Sequence, residues 1–196
     1  MTNKTNNPSL DIVGIGNAIV DVLTTADDSL LERLTIKKGS MTLIDENKAE
    51  ELYKMTTNIT QRSGGSVANS LACVAQLGGK AAFIGRVRND KLGEIFTEEI
   101  STTGTIFKTP ASSVGPSTAR CVIFITPDAQ RTMCTYLGAS VLLEPKDLDL
   151  SAVSEAKILY LEGYLWDNLA AKNAFIKAAK IAKNAGRKVA LSLSDS

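Results

Sequence analysis

A chain of 196 residues, 44% of them hydrophobic, is long enough to bury a sizeable core in one domain. Its 22 basic and 21 acidic residues nearly cancel, so no field points to nucleic acid or an anionic membrane as a partner. The lack of histidine excludes His-dependent triads and histidine metal sites, and three cysteines without C-x-x-C spacing read as reduced thiols rather than a disulfide framework or zinc site. The polar start MTNKTNNPSL carries no apolar h-region, and no run nears the roughly 18 apolar residues of a membrane span, which predicts a cytoplasmic protein.

The first predicted element is LDIVGIG (10–16), a compact β-branched run closed by glycine and suited to a buried parallel strand. It opens GIGNAIVD (14–21), which starts like a dinucleotide fingerprint but has Ile19 where the third glycine must let a helix approach the strand. What remains is the amide of Asn17 and the carboxylate of Asp21, just past a strand end where α/β sheets hold ligands. The two fit either a turn-stabilising Asx residue with a solvated carboxylate, or a pair of contacts to sugar hydroxyls.

Next comes RSGGSVANSLACVAQLGG (62–79). Gly64 and Gly65 let backbone N–H groups approach a ligand, Ser66 is placed to cap a helix, and Asn69 lies in its first turn. Val67, Leu71, Val74 and Ala75 recur at helical spacing until Gly78-Gly79 supplies the left-handed stop. The loop offers polar groups without charge and suits hydroxyls better than phosphates, though a tight turn needing glycine explains it equally well. A P-loop is excluded, because Gly79-Lys80 is followed by Ala81 and preceded at the required distance by Val74.

Further on, KAAFIG (80–85) predicts a strand, and Asn89 or Asp90 a cap for a helix with Leu92, Ile95, Phe96 and Ile100 on its apolar face. ARCVIFI and RTMCTY flank TPDAQ and predict an antiparallel hairpin over 119–136. With LTIKKGSMTLID (34–45), that hairpin is expected to form a small second sheet, a candidate lid. KILYLEG (157–163), a helix from about 167 to 184 and KVALSLS (188–194) restore the βαβ rhythm.

Taken together, GNAIVD, SGGSVANSLACVAQLGG, FIGRVRNDKLGEIF, TARCVIFITPDAQRTM and YLEGYLWD, in that order over residues 10–196, resemble the N-terminal part of the ribokinase (PfkB) carbohydrate-kinase superfamily, most of all its adenosine-kinase-like members. Val67 departs from the proline or alanine frequent in the glycine-pair element. The resemblance implies a doubly wound, mostly parallel α/β sheet with helices on both faces and a β-lid from segments of about 17–24, 34–45 and 105–136. It implies phosphorylation, with ATP and Mg²⁺, of a primary hydroxyl on a nucleoside, adenosine being favoured, or on a furanose sugar. By position, Asp21 and Asn69 would grip ring hydroxyls, with Asn17, Gly64, Gly65 and Ser66 lining the pocket. Glu162 would touch the sugar or serve as a structural carboxylate, and Arg131 would face the transferring phosphoryl group or be a surface charge.

The resemblance also places the family's N-x-x-E and D-T-x-G-A-G-D elements, and with them the catalytic base, beyond Ser196. The chain is thus expected to be an incomplete domain lacking its C-terminal third, inactive alone, with no metal ligand of its own. A homodimer through the lid is compatible with it. The competing expectation is a catalytically silent ligand-binding or interaction protein of the same fold. If the base lay within these residues, the search would turn to Asp21, Asp45, Asp128 and Asp195.

Overall fold

The computed structural model describes residues 8–194. The chain runs β1 (Leu10–Ile15), β2 (Ile19–Thr25), α1 (Asp28–Arg33), β3 (Met41–Leu43), α2 (Glu46–Met55) and β4 (Thr60–Gly64). It continues through α3 (Ser66–Gln76), β5 (Ala81–Ile84), α4 (Lys91–Thr102), β6 (Ile106–Phe107) and the hairpin of β7 (Ala119–Ile125) and β8 (Arg131–Tyr136). Last come α5 (Leu150–Glu155), β9 (Ala156–Glu162), α6 (Leu169–Asn184) and β10 (Lys188–Ser192).

Five of these strands form a parallel sheet in the order β10-β9-β1-β5-β6. Alternate residues of the central strands enter different cores, as a sheet covered on both faces requires. Val13, Ile15, Ala82 and Ile84 pack against Val153 of α5 and Phe175 of α6. Ala81 and Phe83 pack against Leu71 of α3 and Phe96 of α4. Gly14 is glycine because α3 lies directly on it: a Cβ there would stand 2.5 Å from Val67 Cγ1 and 2.7 Å from Leu71 Cδ1. The glycine that resembles part of a dinucleotide fingerprint is therefore explained by helix-on-strand packing.

The second sheet has the order β3-β8-β7-β2-β4 and mixes parallel and antiparallel pairs. One face is covered. Val122, Phe124 and Cys134 pack on Leu31 of α1 and Leu52 of α2, while Val20 and Val22 join the core of α3 and α4. The register puts Asp21, Cys121, Thr135 and Leu43 in one row across the opposite, open face.

The boundaries of this second sheet correct the sequence expectation twice. Residues 105–107 do not belong to it: Ile106 and Phe107 pair with β5, and the Phe107 ring packs against Phe83 and Phe96 in the main core. Conversely β4 does belong to it, although TQRSG has no apolar alternation. It is a strand because β2 offers it an antiparallel edge from Ile19↔Gly64 to Leu23↔Thr60.

A buried cation fastens the chain on either side of the hairpin. The Arg86 guanidinium donates to the Leu142 carbonyl (2.7 Å), Glu144 (3.1 Å), Asp147 (3.2 Å) and the Ser112 hydroxyl (3.1 Å). No helix among the described residues is long and apolar enough to cross a membrane. Removing one member of a buried, hydrogen-bonded ion pair leaves its partners uncompensated, so Arg86→Met is expected to lower unfolding free energy by about 3 kcal/mol, read from urea denaturation with an unchanged m-value.

Candidate active site

Chain order defines one special crevice in the main sheet. From β1 the strands are laid down outward through β5 and β6; the chain then returns to the other side of β1 for β9 and β10. The boundary between β1 and β9 is the switch point, and outside its carboxyl ends is where open α/β sheets leave room for a ligand. Gly16 and Asn17 leave β1 there, and Glu162 is the last residue of β9.

The Glu162 carboxylate is only 1% exposed and is surrounded by the chain's own donors. One oxygen accepts from the Asn17 backbone N–H (2.5 Å) and the Asn17 side-chain amide (2.9 Å). The other accepts from the Ser66 hydroxyl and from the Val67 N–H (3.3 Å). Asn17 is buried as well, its Oδ1 accepting from the Ser140 hydroxyl at 2.8 Å. Asn17, Ser66 and Glu162 are thus brought together, but they satisfy one another. This corrects one sequence expectation, since Ser66 does not cap its own helix, and of the two alternatives for Glu162 its enclosure fits the structural carboxylate. The N-cap of α3 is Gly65, which carries no side-chain cap.

Gly64 and Gly65 have separate reasons to be glycine. At Gly65, φ is +106° and a Cβ would lie 2.2 Å from the Asn17 carbonyl oxygen. At Gly64, φ is ordinary, but a Cβ would lie 2.5 Å from the Asp21 carboxylate, so the missing side chain leaves room for Asp21 on the open face. Asp21 itself is partly buried, with no hydrogen bond among the described residues. Burial pushes its carboxyl up to about 6, against the opposing pull of the Arg131 guanidinium. Arg131 is exposed at the start of β8, on the same open face by register. Asn69 is exposed in the first turn of α3, its N–H bonded to the Gly65 carbonyl and its side chain unbonded among the described residues.

Two features of the site carry no motif and were missed in the sequence. Cys121, the register partner of Asp21, is a buried thiol that accepts from the Thr135 hydroxyl at 3.2 Å, and burial pushes it up to about 12. Along the same row lies an apolar cavity of about 420 Å³ lined by Leu43, Pro116, Thr135, Leu137, Val141 and Leu142, among others. Thr135 is two strands from Asp21, about 10 Å at the usual strand spacing. Such walls are ordinary core residues in a sequence and reveal themselves only when β3, β8 and the segments flanking the hairpin come together.

The remaining acidic candidates are occupied elsewhere. Asp45 caps α2 by accepting from Lys48 N–H (2.8 Å), and Asp128, held down to about 2 by its hydrogen bond from Lys38, pairs with that lysine at 2.8 Å. Asp195 lies outside the described residues. An N-x-x-E spacing does occur, at Asn47 to Glu50, but on α2, where Glu50 pairs with the buried Arg120 at 3.0 Å on the covered side of the second sheet.

This architecture is that of an α/β ribokinase-like protein. A probable sugar kinase from Rhizobium etli CFN 42 superposes with a TM-score of 0.87 at 45% identity over 96% of this chain and 57% of its own. The adenosine kinase from Sinorhizobium meliloti does so with a TM-score of 0.85 at 48% identity over 95% and 57%. The chain belongs to the pfkB family of carbohydrate kinases, whose sequence profile matches residues 36–196. Among curated relatives, a fructokinase from Solanum tuberosum is 30% identical over 63% of this chain and 39% of its own length. The chain therefore spans about two fifths of that relative and somewhat over half of the two solved kinases.

Asp21 gives a test of the site that needs no ligand. A carboxyl raised from 3.8 to about 6 is favoured protonated in the fold, so its burial costs stability above pH 6 and nothing below the ordinary value. Asp21→Asn is expected to raise Tm relative to wild type at pH 8, with the difference shrinking through pH 6 and vanishing near pH 4, measured by differential scanning calorimetry.

Proposed function

We propose that this chain supplies the acceptor-binding part of a kinase that transfers the terminal phosphoryl group of ATP to a primary hydroxyl of a nucleoside, with adenosine as the favoured acceptor. The observation that carries this reading is the Asp21 carboxylate, without a hydrogen bond among the described residues and given room on the open face by the Cβ-less Gly64. A carboxylate so placed accepts two hydrogen bonds, which suits vicinal ring hydroxyls. The exposed Asn69 amide, a helical turn past the same glycine pair, adds a donor and an acceptor. A ring held at Asp21 directs its substituent along the open face toward the apolar cavity, which favours a nucleoside base over a bare sugar.

ATP and Mg²⁺ enter through family membership. Among the described residues no three acidic or thiol groups gather to hold a metal ion. Arg131 is the one sequence-predicted catalytic side chain on the open face, and its guanidinium pulls the Asp21 carboxyl down against the effect of burial. A cation facing the transferring phosphoryl group acts most strongly as charge is redistributed in the transition state.

In the full-length protein, adenosine, ribose and fructose tested with ATP should rank adenosine first by kcat/KM; preferential turnover of fructose would overturn the nucleoside assignment. Asp21→Ala is expected to weaken acceptor binding by about ten- to over a hundredfold, the loss of a charge-assisted hydrogen bond, as measured by calorimetric titration. Arg131→Ala should chiefly lower kcat, and an unchanged kcat would place the arginine outside the reaction. Residues 1–196 alone are expected to phosphorylate none of the three acceptors.

A further inference from the structure

Glu162 is bonded to segments far from it in sequence. The first turn of α3 carries no cap from its own neighbourhood, because Gly65 stands at the N-cap position. The orphan N–H groups of a helix start, and the positive end of its dipole, favour an anion there. Glu162, 95 residues away from Val67, supplies it: its carboxylate accepts from the Val67 N–H and the Ser66 hydroxyl. The other oxygen of the same carboxylate holds Asn17 by two bonds, one of them to the backbone at the start of the crossing from β1 into β2. Gly16 leaves room for this, since a Cβ there would lie 3.0 Å from both Glu162 Oε2 and Val67 Cβ and would crowd the carboxylate. Asn17 passes the link on to Ser140, four residues beyond the end of β8.

One buried carboxylate therefore fixes the relative position of three segments: the strand that bears Asp21, the helix that bears Asn69 and the return from the hairpin that bears Arg131. We propose that Glu162 is a positioning residue for acceptor binding, setting the distance between Asp21 and Asn69 by capping α3 from the end of β9 while holding Asn17. This rests on the acceptor site proposed above. Glu162 touches no ligand in this scheme; its effect reaches the acceptor through the two elements it ties together.

The isosteric Glu162→Gln separates this role from bulk. Each carboxylate oxygen accepts from a backbone N–H that cannot turn away, Asn17 on one side and Val67 on the other. A glutamine amide must place its NH₂ against one of them, leaving a buried donor unpaired. Two measurements are made on the full-length wild type and Glu162→Gln. Hydrogen–deuterium exchange is followed in peptides covering 16–19 and 65–69, and steady-state kinetics are measured with acceptor and ATP varied separately. Exchange in both peptides is expected to speed up at least about tenfold, with α6 unaffected, and the acceptor KM to rise by about tenfold while kcat and the ATP KM stay within about threefold.

Unchanged exchange in either peptide overturns the proposal whatever the kinetics show. Faster exchange with an unchanged acceptor KM and a reduced kcat also overturns it, since Glu162 would then support folding or the chemical step without setting acceptor affinity. If exchange responds as expected but the wild type turns over no acceptor, the tie made by Glu162 stands and the kinase reading fails. Ser140→Ala, which removes the hydroxyl from the Asn17 Oδ1 and the Leu137 carbonyl but leaves Glu162 and α3 untouched, should speed exchange in 16–19 and leave 65–69 unchanged.

Discussion

A carboxylate with almost no access to water persists only if donors replace the solvent it has lost. Glu162 has four, two from the β1–β2 crossing and two from the start of α3, and the rest of the site follows from meeting that requirement. The donors must converge on one point, so β1, β9 and α3 end or begin within a few ångströms of one another at the switch point. Gly16 clears the approach on the β1 side, and Gly65 lets the α3 entry pass against the Asn17 carbonyl. The glycines of this region make room for a polar knot, and that knot shapes the crevice.

The same convergence sets how the two sheets meet. Only Gly16, Asn17 and Ala18 separate β1 from β2, so the second sheet begins directly at the carboxyl edge of the first. Its covered face merges with the core of α3 and α4 through Val20 and Val22, which leaves the opposite face turned outward without a layer of its own. At its edge strand the apolar Met41 and Leu43 on that face stay half-exposed. The combination of an apolar wall and one desolvated carboxylate is what a ligand with hydroxyls at one end and an apolar body at the other would complete.

The main strands and helices were legible because each is encoded locally: apolar runs closed by glycine, helical spacing from Val67 to Gly78, and an aspartate ahead of Leu92 that does cap α4. The glycine pair and Asp21 stood out as candidate site residues because their types make little sense as core, though a tight turn and a solvated carboxylate accounted for them as well. What sequence could not show is who meets whom. TQRSG reads as loop until β2 offers it an edge, and Phe107 reads as part of the second sheet until two phenylalanines of the main core are placed beside it. Glu162 stood out as a candidate, either touching the sugar or structural, but its partners could not be read, since they lie 95 to 145 residues away.

Asp21 and Glu162 make the point most sharply, because they carry the same functional group in different settings, one on the open face of the second sheet and one at the end of β9. Glu162 is almost fully buried, yet its donors offset the desolvation and no ligand is needed to complete it. Asp21 is less buried but without donors, and its carboxyl is pushed up toward neutrality. A fold that optimised stability alone would pair or replace the second group, as it does the first. Under the proposed function, an acceptor without hydrogen bonds and a fully paired carboxylate would divide the labour of the site: one would hold the frame, so that the other could stay unsatisfied at a defined position until hydroxyl donors arrive from outside the chain.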